Sequence, residues 1–180
     1  MNSIQISPLQ IEEISPFLTY LDDHLSDNGL GETPLFQPLS RAESKVPDTL
    51  RRSFHFGLEM PIEEMGWRRV WVAKGGNGSI VGHIDLRGRL ERHAPHRALL
   101  GMGVDRDHRR MGVGRLLMET AFKWAKEETQ LEYIDLQVLS QNQAAIRLYE
   151  KNGFQKIGEV VDMFRIDGHS YNYAYMGKKL

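Results

Sequence analysis

Apolar and polar positions change their period several times along the chain, and each change marks an element. Ile4 and Ile6 alternate with polar residues as a short strand does, and Ser7–Pro8 then offers an N-cap followed by proline in a first helical turn. Ile11, Ile14, Leu18 and Leu21 follow at helical spacing. Between Gly29 and Gly66 four prolines (Pro34, Pro38, Pro47 and Pro61) exclude a long helix, leaving loop around a short helical piece near Thr49–Phe56. Irregular segments of this kind are where substrate-binding loops sit.

From Val70 onward the periods are plainer. Val70–Lys74 and Ile80–Arg87 read as strands joined across Gly75–Gly76–Asn77–Gly78, and Arg97–Val104 as a third. Val113, Leu116, Leu117, Thr120, Ala121 and Trp124 then recur at three- and four-residue steps, predicting an amphipathic helix. Leu131–Leu139 alternates again as a strand. A second helix is predicted over Asn142–Asn152, with Ser140 or Asn142 as cap, Ala145, Leu148 and Tyr149 on one face, and Gly153 in the left-handed position that ends it. Val160–Ile166 and Ser170–Lys178 close the chain as a hairpin around Asp167–Gly168.

Composition narrows the function classes. With 180 residues, 41% of them hydrophobic, the chain is expected to form a single domain, 1–180. A formal net charge of −1 supplies no long-range field for DNA, RNA or an anionic membrane, so none is expected as a partner. The absence of cysteine excludes disulfides, thiolate metal sites and a cysteine nucleophile. No basic leader precedes an apolar run and no stretch nears the roughly 18 apolar residues of a membrane span, which predicts a cytoplasmic protein. His93 and His96 have an H-x-x-H spacing but lack an evident third ligand, so no metal is expected.

The chemistry concentrates where the third of these strands gives way to a helix. At Arg109–Arg110–Met111–Gly112–Val113–Gly114 the glycines allow the backbone close to an anion, and the unpaired N–H groups and positive dipole of a helix start attract it. Arg109, Arg110 and Arg115 add cations, although the same residues would also make an ordinary solvated turn. The segment is neither a Walker loop nor a dinucleotide fingerprint, so nucleotide hydrolysis and hydride transfer lose ground. On the strand Ile80–Leu86, His83 and Asp85 share a face with Val81. They are candidates for a base, with His96 behind them, or a pair that simply hydrogen-bonds on a solvated sheet face.

Val104 through Gly114 resembles the V-x-P-x-x-R/Q-x-x-G-x-G/A signature of the GCN5-related N-acetyltransferase (GNAT) family, with the proline replaced at Asp107 or its neighbour. Asn142 through Phe154 is similar to the family's N-x-x-A-x-x-L-Y-x-x-x-G-F element. The resemblance covers about Val70 to Leu180, whereas the first 66 or so residues match only in element order and would form the acceptor side.

The resemblance implies an α/β fold with a mixed central sheet of about seven strands, in which Arg97–Val104 and Leu131–Leu139 splay apart. It further implies acetyl-CoA as co-substrate, with pantetheine along Met102, Gly103 and Val104, and pyrophosphate on amides from Arg110 to Arg115. Asn142 would contact the cofactor. A neutral primary amine, on a small molecule or a peptide or protein N-terminus, would attack the thioester directly. Tyr149 would serve as the acid that protonates the leaving thiolate, unless it is a packing tyrosine. Two rival readings are a non-catalytic CoA-binding regulatory module and transfer of a longer acyl group. An exposed edge strand at the C-terminus would support a homodimer.

Overall fold

The computed structural model describes residues 4–180 and contains a seven-stranded sheet in the order β1-β2-β3-β4-β5-β7-β6. The strands are β1 (Gln5–Pro8), β2 (Arg68–Lys74), β3 (Ile80–Gly88), β4 (Arg97–Val104), β5 (Tyr133–Leu139), β6 (Gln155–Ile166) and β7 (His169–Lys179). Four helices of nine residues or more accompany them: α1 (Ile14–Ser26), α2 (Asp48–Glu59), α3 (Val113–Glu128) and α4 (Gln143–Lys151). No helix among the described residues is long and apolar enough to cross a membrane.

The N-terminal reading needs one correction. Ser7 and Pro8 do not start a helix; they pair with Val72 and Trp71 in the sheet, and the helical turn begins at Ile11. Proline is tolerated there because β1 is an edge strand, so its missing N–H costs no ladder bond on the outer side. The glycine hairpin forms as expected, with Gly75 N bonded to Ser79 O at 2.9 Å.

Two apolar clusters lie on the two faces of the sheet. Against one face packs α3, through Val113, Leu117, Met118, Ala121 and Ala125, on Ile84, Leu86 and Leu100. Each large aliphatic side chain so buried contributes about 1.5–3 kcal/mol. Leu116, which the spacing assigned to this face, is exposed instead, because the buried stripe runs through Met118. On the opposite face Phe17, Leu21, Leu25 and Phe54 from α1 and α2 cover Val70 and Val72.

The feature that shapes the molecule is the fifth strand. β4 and β5 run parallel and pair only at Arg97, Ala98 and Leu99 with Tyr133, Ile134 and Asp135. Past Leu99 they separate, while β4 stays laddered to β3 as far as Val104 and β5 to β7 as far as Leu139. The splay expected of the sheet is therefore present, and it opens toward the N-terminus of α3.

Candidate active site

A cavity of about 740 Å³ occupies this opening and runs from the start of α3 to the face of β3 covered by α1 and α2. At the α3 end Gly112 has φ 83° and Arg110 has φ 62°, both in the left-handed region. Glycine suits the first because an L side chain there is strained even though space is open. Val113, Gly114 and Arg115 are the first residues of α3, and their N–H groups have no intrahelical acceptor. Gly114 has a different task. A Cβ there would lie 3.2 Å from Met102 Cε and 3.3 Å from Leu148 Cδ2, so its smallness lets α3 approach β4 and α4.

The arginines of this turn differ among themselves. Arg109 is tied down: its Nε donates to Val104 O at 3.1 Å and its Nη2 to Asp27 Oδ2 at 3.2 Å. Arg115 pairs with Glu119 on the exposed side of α3 at 2.7 Å. Arg110 makes no ion pair among the described residues and remains available to an anion. Asn142 caps α4, its Oδ1 accepting from Ala145 N at 3.2 Å, which leaves its amide N–H groups for the cavity that it lines.

The other end of the cavity is built from residues distant in sequence. His83 and Asp85 project from β3 opposite Gly103 and Gly101 of β4, and both are buried. They do not lie on a solvated face, because α1 packs over His83 and the Arg68 and Arg87 guanidiniums lie on Asp85. Tyr20 Oη of α1 lies 3.2 Å from His83 Nδ1 and 3.4 Å from the carbonyl of Gly103. His24, one turn further, stacks on Tyr20 with ring centroids 6.0 Å apart. Burial, reinforced by the charge that His24 would carry, holds His83 down at about 3, and burial with Arg109 nearby holds His24 at about 4. Both rings are therefore neutral at pH 7. Asp85 bonds Arg68 and Arg87 rather than His83, with both Nη1 atoms 3.2 Å from the same Oδ1. Tyr149 also lines the cavity, buried and edge-on to Phe154 at 5.7 Å, its hydroxyl pushed above the usual range by burial.

The Acetyltransferase (GNAT) family model matches residues 41–154. The chain belongs to this family. It is 30% identical over 105 residues to the N-terminal acetyltransferase A complex catalytic subunit NAA10 of Arabidopsis thaliana, covering 58% of this chain and 55% of that protein. It is 26% identical over 161 residues to the uncharacterized N-acetyltransferase YycN of Bacillus subtilis, covering 88% and 97% of the two chains. Its fold matches a GNAT-family acetyltransferase from Streptococcus pneumoniae with a TM-score of 0.79 at 22% identity, over 99% of this chain and all of the other.

As a GNAT chain it departs from the signature at Arg106, which counting from Val104 puts in the proline's place. Arg106 reaches Asp23 and Asp27, each at 2.9 Å, and so fastens the end of α1 to the turn before α3. Met102, Gly103, Val104, Arg109, Arg110, Gly112, Val113, Gly114, Arg115, Asn142, Tyr149, His83 and Asp85 all line the one cavity; Met111 is exposed beside it. His96 lies at the far end of β4, where its carbonyl accepts from Glu132 N and Tyr133 N, and it does not line the cavity. Sequence reasoning missed Tyr20, His24, Arg68 and Arg87. Tyr20 and His24 lie one turn apart on an amphipathic helix, but nothing local says which strand that helix covers.

Proposed function

We propose that this chain transfers an acetyl group from acetyl-CoA to a primary amine, both bound at once, by direct attack of the amine on the thioester. The observation that carries the reading is the single cavity joining the open β4–β5 gap, the helix start at Gly112 and the buried polar cluster at His83. The free strand edge from Leu100 to Val104 suits an extended amide-bearing arm, and the N–H groups of Val113 to Arg115 with Arg110 suit pyrophosphate. Met111 would lie against the cofactor outside the cavity. Acetyl-CoA supplies an activated acyl thioester; the rest falls to the protein.

The amine attacks only as the free base, so its proton must leave. His83 can accept it in one tautomer. With the proton on Nδ1, His83 donates to Tyr20 Oη, Tyr20 donates to the Gly103 carbonyl, and Nε2 keeps its lone pair. The depressed basicity of His83 makes it a transient station for the proton rather than a resting store. Tyr149, which burial keeps protonated, donates to the departing thiolate. Asp85, held by two guanidiniums, fixes charge beside the acceptor instead of taking a proton. The amine belongs to a small molecule or to a protein N-terminus, the class named for the plant relative.

Calorimetric titration with acetyl-CoA and with a dephosphorylated pantetheine analogue tests this reading. Saturable binding of the first and much weaker binding of the second, followed by thiol release on adding amines, is the expected result. Binding of neither overturns it.

A further inference from the structure

The acceptor end of the cavity holds unbalanced charge. Asp85 is the one carboxylate lining the cavity among the described residues, and two arginines converge on its Oδ1. Arg68 is only 4% exposed; its guanidinium lies 4.1 Å over the Phe54 ring, its Nη2 donates to Ser53 Oγ at 3.2 Å, and its Nε is buried with no partner. Sharing half a carboxylate under-compensates a buried guanidinium. Arg87 is half-buried with Nη1 on Asp85, which leaves the rest of its fork for a second oxyanion.

Gly101 makes room for the Asp85 side chain, and the cavity that Arg87 lines leaves room for the oxyanion. Gly101 faces Asp85 across the β3–β4 ladder, and a Cβ there would collide with Asp85 Oδ2 and come within 3.3 Å of Arg87 Nη1. The phosphate-binding turn is too far to be the reason for these cations. Gly101 is three residues from Val104, about 10 Å along the strand, and Arg109 to Arg115 lie beyond that.

We infer that the amine acceptor carries a carboxylate, as an amino acid does, and that Arg87, backed by Arg68, receives it; this rests on the acetyltransferase reading above. Arg87 is four residues from His83 on the same face, but its Nη1 reaches back to Asp85, two residues and about 7 Å from His83, so that a small amino acid can lie with its amine toward His83 and its acid toward Arg87. The surplus positive charge also favours the neutral form of the bound amine. A polyamine, with a cation at each end and no acid, meets the same charge as repulsion.

The test is turnover, read as thiol release, of the twenty L-amino acids, their carboxamides, putrescine and spermidine. At least one acid should exceed its own amide and both polyamines roughly ten- to hundredfold in kcat/KM. Arg87→Gln should bring the acid-to-amide ratio near one, chiefly through KM, and Arg87→Lys should restore part of it. Amides or polyamines matching the acids, or a preference that survives Arg87→Gln, overturns the inference. Failure of every acid overturns it as well. Saturable acetyl-CoA binding by the same preparation then leaves the acetyltransferase reading standing, whereas its absence removes both.

Discussion

The two ends of the cavity are made in different ways. The α3 end centres on a single short run, Val104 to Arg115, whose distinctive features are backbone ones: one left-handed glycine, one left-handed arginine and three amides at a helix start. The far end is an assembly of side chains from α1, β2 and β3 held together by burial, with Tyr20, His24, Arg68, His83 and Asp85 contributed by segments up to 65 residues apart, as Tyr20 and Asp85 are. A run of backbone N–H groups at a helix start can be set by local chain geometry; a buried cluster of histidines, arginines and a carboxylate needs tertiary packing.

Acid should separate the two ends most strongly. His24 and His83 have folded values near 4 and 3 against about 6.5 unfolded, so the unfolded chain binds more protons below pH 6.5. Stability is full above that value and falls as the pH drops toward 4, by about 1 kcal/mol per pH unit for each histidine. Thermal denaturation between pH 7 and 4.5 should show the slope, and His24→Gln should reduce it by about half; an unchanged slope would mean that the buried rings are not its source.

Tyr149→Phe comes next. It should lower kcat by roughly a hundredfold while acetyl-CoA affinity, read by calorimetry, holds. Gly112→Val should do the reverse, weakening acetyl-CoA by about tenfold or more through strain at φ 83°. Tyr20→Phe should have the smallest effect, about fivefold in kcat, since it removes a single hydrogen bond from the His83 ring. If Tyr20→Phe also weakened acetyl-CoA binding, the two ends would not be separable.

The same contrast governs what was legible in the sequence. β4 has the predicted bounds, Arg97–Val104, and the helix start at Gly112 follows from glycines at a strand-to-helix change. Ser7–Pro8 misled because a cap-like pair in an edge strand looks the same as one opening a helix. Period puts His83 and Asp85 on one face but says neither that α1 covers His83 nor that two arginines cover Asp85, so a solvated face is an open alternative from sequence alone. Arg68 precedes the predicted β2 start at Val70, and Arg87 closes the predicted β3; only the register that sets Arg68 opposite Arg87 makes them one cluster.

A sheet ordinarily has two edges, and this one has four. The outer pair is blunted, β1 by its four residues and β6 by register breaks and by Asp162 at φ 53°. The inner pair, β4 beyond Leu99 and β5 beyond Asp135, face each other across the splay and border the cavity. Interior edges differ from outer ones in what lies before them: their unpaired backbone groups open onto the molecule's own cavity rather than onto neighbouring proteins.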